Sequence, residues 1–163
     1  MTARPEWLPA PLGLNPIPSN IHELLYDIFE RDFTSGKPQF NGLQVWWDRR
    51  IVDTYPEGYW HIVSKTFKND RILEPARAEK LPWCAPVITN NGTSEVTVFE
   101  ADEKTYLWLE HLDYVVILGK RELAARGGKP ALEVMWLITA FNIDGDSTRK
   151  KLERKRDAAT RSS

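Results

Sequence analysis

The chain has few of the residues that build disulfides and metal centres. Cys84 is its only cysteine among 163 residues. No internal disulfide can form, and a thiolate zinc site is not expected. The three histidines, His22, His61 and His111, lack metal-ligand spacing. Neither a metal nor another cofactor is expected. No glycine-rich phosphate loop is present, since Gly127-Gly128 reads as a hairpin turn. No apolar run reaches membrane-spanning length, and no apolar segment follows a basic start at the N-terminus. These absences predict a cytoplasmic protein without a membrane partner. Asn91-Gly92-Thr93 matches a glycosylation sequon, but without a secretion signal it reads as a turn.

A net excess of charge of either sign is also lacking, because 22 Lys/Arg nearly balance 23 Asp/Glu. The net charge is −1, which by itself neither favours nor excludes nucleic acid. Its distribution is uneven. Residues 146–163 hold seven Lys/Arg against three Asp/Glu, a net of +4, which leaves −5 for the rest.

What is present points to one α+β domain. Five prolines within residues 1–18 predict an extended arm, laid on the surface through Trp7, Leu8 and Leu12. Residues 19–145 form the predicted domain and 146–163 a basic helical tail. Ile21, Leu24, Leu25, Ile28 and Phe29 recur at helical spacing, with Asn20 as the expected cap. Gly36 and Pro38 stop that helix. Asn41-Gly42 between apolar residues predicts a hairpin. Strands are expected at Leu43–Trp47, 59–67, Val96–Phe99, Tyr106–Glu110, Tyr114–Gly119 and Leu132–Phe141. Residues 74–90 read as irregular or helical. The later strands lie too close for crossover helices, so an antiparallel meander follows. The expected architecture is an N-terminal helix packed on a four- to five-stranded antiparallel sheet. Asp146 is the expected cap of a charged C-terminal helix, which projects outward because Leu152 is its only large apolar residue. Seven tryptophans, mostly inside apolar runs, belong largely to the core.

The chemistry-bearing candidates start at His61. In a strand over 59–67, Tyr59, His61, Val63 and Lys65 share one face. An imidazole beside a fixed ammonium suits proton transfer at a phosphate. A half-buried sheet histidine satisfied by a neighbour is an equal alternative. Arg49 and Arg50 could clamp a phosphate, although two solvated charges at a strand end is the plainer reading. Arg71 and Arg77 flank the irregular segment, and the same reservation applies to each. Lys120 and Arg121 close a strand, and Thr139 lies in the last one. No carboxylate pair has a spacing that demands catalysis.

Five motifs occur in order: Trp60-His61-Ile62-Val63-Ser64, Pro75-Ala76-Arg77-Ala78-Glu79-Lys80-Leu81-Pro82-Trp83, Leu107-Trp108-Leu109-Glu110, Tyr114-Val115-Val116-Ile117-Leu118 and Thr139-Ala140-Phe141. Over roughly residues 20–155 the chain resembles the small phage P1-related proteins of bacterial and prophage genomes. These look like members of the metal-independent ribonuclease superfamily that groups barnase, EndoU, colicin nucleases and RelE toxins. The resemblance implies a helix plus antiparallel sheet, with an active site on the sheet face. Carried over by motif, the catalytic residues are His61, Arg77, Lys120 (or Arg121) and Thr139. Phe141 stands where the pattern has Tyr.

The implied reaction is transesterification by the ribose 2′-hydroxyl. His61 would be acid or base, Arg77 and Lys120 charge stabilisers and Thr139 a positioning donor, with the second proton carrier unassigned. Trp60 and Tyr114 are the expected stacking platforms. Lys65, Arg49, Arg50 and Arg121 are the expected substrate contacts. RNA is the expected partner, with a protein inhibitor or antitoxin as a second. The rival reading is a non-catalytic binding module or phage accessory protein on the same fold.

Overall fold

The computed structural model describes residues 4–162. Among the described residues, five α-helices accompany one curled six-stranded sheet and two small ribbons, an α+β fold. The N-terminal arm is tied down rather than loose. Leu8 is buried, the Trp83 indole donates to the Pro9 carbonyl at 2.8 Å, and Leu12 N–H donates to Glu79 at 2.8 Å. Helix α1 (Ile21–Phe29) follows, and a wide turn over Glu30–Ser35 extends it. Its apolar stripe buries Ile21, Leu25 and Phe29. Asn20 makes no side-chain capping bond, contrary to expectation.

Strands β1 (Gln39–Phe40) and β2 (Leu43–Trp46) form the predicted hairpin. Asn41 and Gly42 turn it with φ of 51° and 80°. Glycine suits the second position because it lacks the Cβ that opposes positive φ. The small pair β3 (Ile51–Val52) and β4 (Tyr55–Pro56) leads into helix α2 (Glu57–Val63). A second ribbon, β5 (Ser64–Phe67) and β6 (Asp70–Leu73), precedes the short helix α3 (Pro75–Ala78) and helix α4 (Leu81–Thr89). Then come β7 (Thr97–Ala101), β8 (Lys104–Leu109), β9 (Tyr114–Leu123), β10 (Leu132–Asn142) and helix α5 (Asp146–Ser162).

The sheet order is β1-β2-β10-β9-β8-β7. It has six strands, not four or five, and one neighbouring pair is parallel. β2 runs alongside β10 with Val45 opposite Met135 and Trp46 opposite Trp136. A parallel contact over that sequence distance leaves no local signal. The sheet curls around α4, which touches β1, β8 and β9. Leu81, Pro82, Trp83, Cys84, Ala85, Val87 and Ile88 of α4 are all buried. Each large aliphatic or aromatic side chain there contributes about 1.5–3 kcal/mol by leaving water. Helix α1 packs on α4 rather than directly on the sheet, which corrects the expected arrangement.

Helix α5 covers the opposite face of the sheet along β7. Leu152 is 4% exposed among Phe99, Tyr106, Trp108, Val115 and Ile117. Arg149 pairs with Asp113, Lys155 with Asp102 and Arg156 with Glu110. The tail helix therefore packs instead of projecting. One leucine suffices because long basic side chains lay their stems on apolar surface and place their heads on carboxylates. Arg149 and Arg156 both lie over the Trp108 ring, at 5.2 and 5.5 Å. Among the described residues no helix is long and apolar enough to cross a membrane.

Candidate active site

The segment expected as strand 59–67 is a helix up to Val63 and a strand only from Ser64. Tyr59, Trp60, Ile62 and Val63 are strand-favouring types, yet their burial follows helical spacing. Tertiary contacts override the propensity. Gly58 allows the approach: a Cβ there would lie 2.5 Å from the Trp47 Cβ. The first N–H groups of α2 donate to main-chain carbonyls, Glu57 to Arg50 at 2.8 Å and Gly58 to Asp48 at 2.9 Å. These bonds satisfy donors that a helix start leaves free, and they bring Asp48 to the N-terminal end of α2.

Helical geometry puts Glu57 and His61 on one face, one turn apart. The His61 Nε2 lies 3.1 Å from the Glu57 carboxylate. The Arg71 guanidinium, carried on β6, donates to that same carboxylate. Asp48, held by Arg50 through its Nε at 3.0 Å, adds negative charge close to the ring. The His61 side chain is 32% exposed. Burial, and then the Arg71 charge, hold its pKa below the usual imidazole value, against the opposing pull of Glu57 and Asp48. Its Nδ1 is buried with no hydrogen-bond partner among the described residues. An imidazole, a carboxylate and a guanidinium thus meet at one mostly buried place, where the His61 ring is the most open of the three.

Two residues expected to be catalytic serve the helix end instead. The Thr139 hydroxyl donates to the His61 carbonyl at 3.0 Å. The Arg77 guanidinium donates to the Ser64 carbonyl at 2.9 Å and to the His61 carbonyl at 3.4 Å. A helix C-terminus leaves its last carbonyls without intrahelical partners, and a cation there meets the negative end of the dipole. Arg77 and Thr139 are therefore tertiary caps of α2. Beside them lies a polar hollow of about 250 Å³, lined by Glu74, Arg77, Phe141, Asn142, Asp144 and Thr148.

Lys120 does not join this group. It pairs with Glu133 at 3.4 Å across the β9–β10 ladder. Lys120 faces Met135, whereas Thr139 faces Ile117. Three residues of strand separate the two, roughly 10 Å. The expected stacking platforms are also absent from the surface. Trp60 is buried and its indole donates to the Val52 carbonyl at 2.8 Å. Tyr114 is buried against Trp83 and hydrogen-bonded to Cys84. Lys65 is exposed on β5 but opposite Ile72, while Arg71 pairs with Thr66, so the two point to different faces of the ribbon. Arg50 is occupied by Asp48.

Arg49 and Arg121 belong to another surface. Arg49 lies over Trp46 and Trp47 at 4.2 and 4.5 Å, and Arg121 over Trp136 at 4.4 Å. Because Trp46 and Trp136 are register partners, these pairs form one aromatic and cationic face.

Sequence reasoning missed Glu57 and the part Arg71 plays. The signal was a Glu-x-x-x-His spacing, legible only once the segment is taken as a helix. The chain matches no protein-family model, no curated protein and no solved structure. The fold and the cluster define an α+β protein in which a carboxylate and an imidazole on a helix beside the sheet meet a guanidinium from the neighbouring two-stranded ribbon.

Proposed function

We propose that this protein cleaves RNA by metal-independent transesterification, with Glu57 and His61 as the proton-transfer pair. The observation that carries the reading is the meeting of Glu57, His61 and Arg71 at a partly open surface. The motif order supports it further through the resemblance to the ribonuclease superfamily.

In this reaction a substrate phosphate draws Arg71 away from Glu57. The freed carboxylate takes the proton of the 2′-hydroxyl. The 2′-oxygen attacks phosphorus, and the bond to the 5′-oxygen breaks. The negative charge of the bound phosphate and the withdrawal of Arg71 from the ring favour the imidazolium, and His61 turns its Nε2 proton from Glu57 to that leaving oxygen. The products are a 2′,3′-cyclic phosphate and a 5′-hydroxyl. Arg71 offsets the charge that grows on the phosphoryl oxygens. Arg77 and Thr139 keep α2 in place and touch no substrate.

The test is incubation of a single-stranded oligoribonucleotide with purified protein in EDTA. The expected product carries a cyclic phosphate, and the matching DNA strand stays intact. Glu57→Gln, His61→Ala and Arg71→Ala each lose activity by about 10²-fold or more, the scale of one acid–base group. Lys120→Ala keeps it. Equal cleavage, or equal inertness, of wild type and His61→Ala overturns the proposal.

One observation favours a second reading, a non-catalytic RNA-binding module. The Trp46–Trp136 face with Arg49 and Arg121 offers stacking and charge without involving His61. In that case Trp136→Ala weakens RNA binding, while His61→Ala leaves it unchanged.

A further inference from the structure

Strand β7 is an edge of the sheet, with β8 as its single partner among the described residues. Its hairpin with β8 turns through Asp102-Glu103, both at positive φ, and pairs Ala101 with Lys104. A two-residue turn closes on a hydrogen-bonded pair. Bonded pairs therefore fall at Ala101/Lys104, Phe99/Tyr106 and Thr97/Trp108. Val98 and Glu100, which alternate with them, direct their N–H and C=O groups away from β8, along the open edge. Their side chains are exposed as well, with Val98 at 40%. Glu100 has no ion-pair partner among the described residues, whereas the adjacent Asp102 is held by Lys155.

This edge borders a groove of about 790 Å³. Residues 98–102 form one wall, the end of α5 with Ala158 and Ala159 forms another, and Phe40 with Asn41 of the β1–β2 turn closes the far side. The sheet curls until its two edges face each other here, with room between them.

We propose that this groove receives an extended peptide of a partner protein, added as a seventh strand on β7. Antiparallel pairing places one peptide residue opposite Glu100 and, two residues later in the peptide, another opposite Val98. Charge complementarity makes the first a lysine or arginine. The exposed valine makes the second a β-branched apolar residue. The residue between them points to the other side, where Ala158 and Ala159 leave space for it. The recognised sequence is basic-x-apolar in a strand-forming context.

The probe is a fluorescently labelled Ser-Lys-Thr-Val-Thr-Ser peptide, titrated into the full chain by anisotropy. Hydrogen exchange is measured alongside, residue by residue. Binding is expected to protect the Val98 and Glu100 amides. A peptide N-methylated at its Lys and Val amides, used with the wild-type chain, is expected to bind about tenfold or more weakly. Glu100→Lys is expected to weaken the Lys peptide about fivefold and to favour a Glu-bearing one instead. Binding of the methylated peptide within twofold of its parent, or unprotected Val98 and Glu100 amides, overturns the proposal. So does protection of those amides without peptide that rises with protein concentration, because the occupant is then a second copy of the chain.

Discussion

Replacing Thr139 by valine removes one hydroxyl and almost no volume, which makes it a clean probe of how α2 is held. The hydroxyl donates to the His61 carbonyl at 3.0 Å, and Arg77 reaches that oxygen only at 3.4 Å. A net loss of about 1 kcal/mol is expected for Thr139→Val, the usual worth of one neutral hydrogen bond. Arg77→Ala removes the 2.9 Å bond to Ser64 as well. That bond is charge-assisted, so about 2 kcal/mol is expected for the part-buried group. The double variant leaves the His61 carbonyl without either donor. It should cost about 1 kcal/mol more than the two single changes together, because the desolvated carbonyl then has no partner. Urea unfolding of the four proteins at pH 7.5 measures this. Additivity within about 0.3–0.5 kcal/mol refutes the capping role and returns both residues to the list of catalytic candidates.

Three further outcomes are expected. Gly58→Ala forces a Cβ against Trp47, where the gap is 2.5 Å, and should destabilise by about 1–3 kcal/mol in a thermal melt while displacing the helix that carries His61. Leu152→Ala empties the only large apolar contact of α5 and should cost about 2–3 kcal/mol, with hydrogen exchange rising across residues 146–162; an unchanged pattern means that the ion pairs alone hold the helix. Burial lowers the pKa of both His22 and His61. The unfolded chain therefore binds protons first, near pH 6.5, and stability should fall as pH drops from there through the depressed folded values, then level off for these two groups. A His22→Gln/His61→Gln variant should flatten that slope in urea midpoints measured across the window, and an undiminished slope contradicts it.

The parts of the fold that were legible in the sequence are those set by short-range pattern. Ile21, Leu25 and Phe29 marked α1, Asn41-Gly42 marked its hairpin, and long apolar runs marked β9 and β10. The candidate site was half legible. His61 stood out as an imidazole in an unusual run, but the run was taken as a strand, which paired the ring with Lys65 instead of Glu57. Tyr, Trp, Ile and Val occupy sheets readily. Only the fit of Gly58 against Trp47 and the bonds that the Glu57 and Gly58 N–H groups donate to the Arg50 and Asp48 carbonyls make the helix the better solution.

The sequence by itself determined an α+β chain with one thiol, a basic end and an apolar second half rich in strands, because alternation and turn chemistry act over a few residues. Tertiary structure alone decided that β2 runs parallel to β10, that Arg77 and Thr139 serve a helix end, and that Arg71 finds Glu57. Those contacts join residues many positions apart. Their free energy depends on burial and on which carbonyls lack partners, quantities that exist only after the chain has folded.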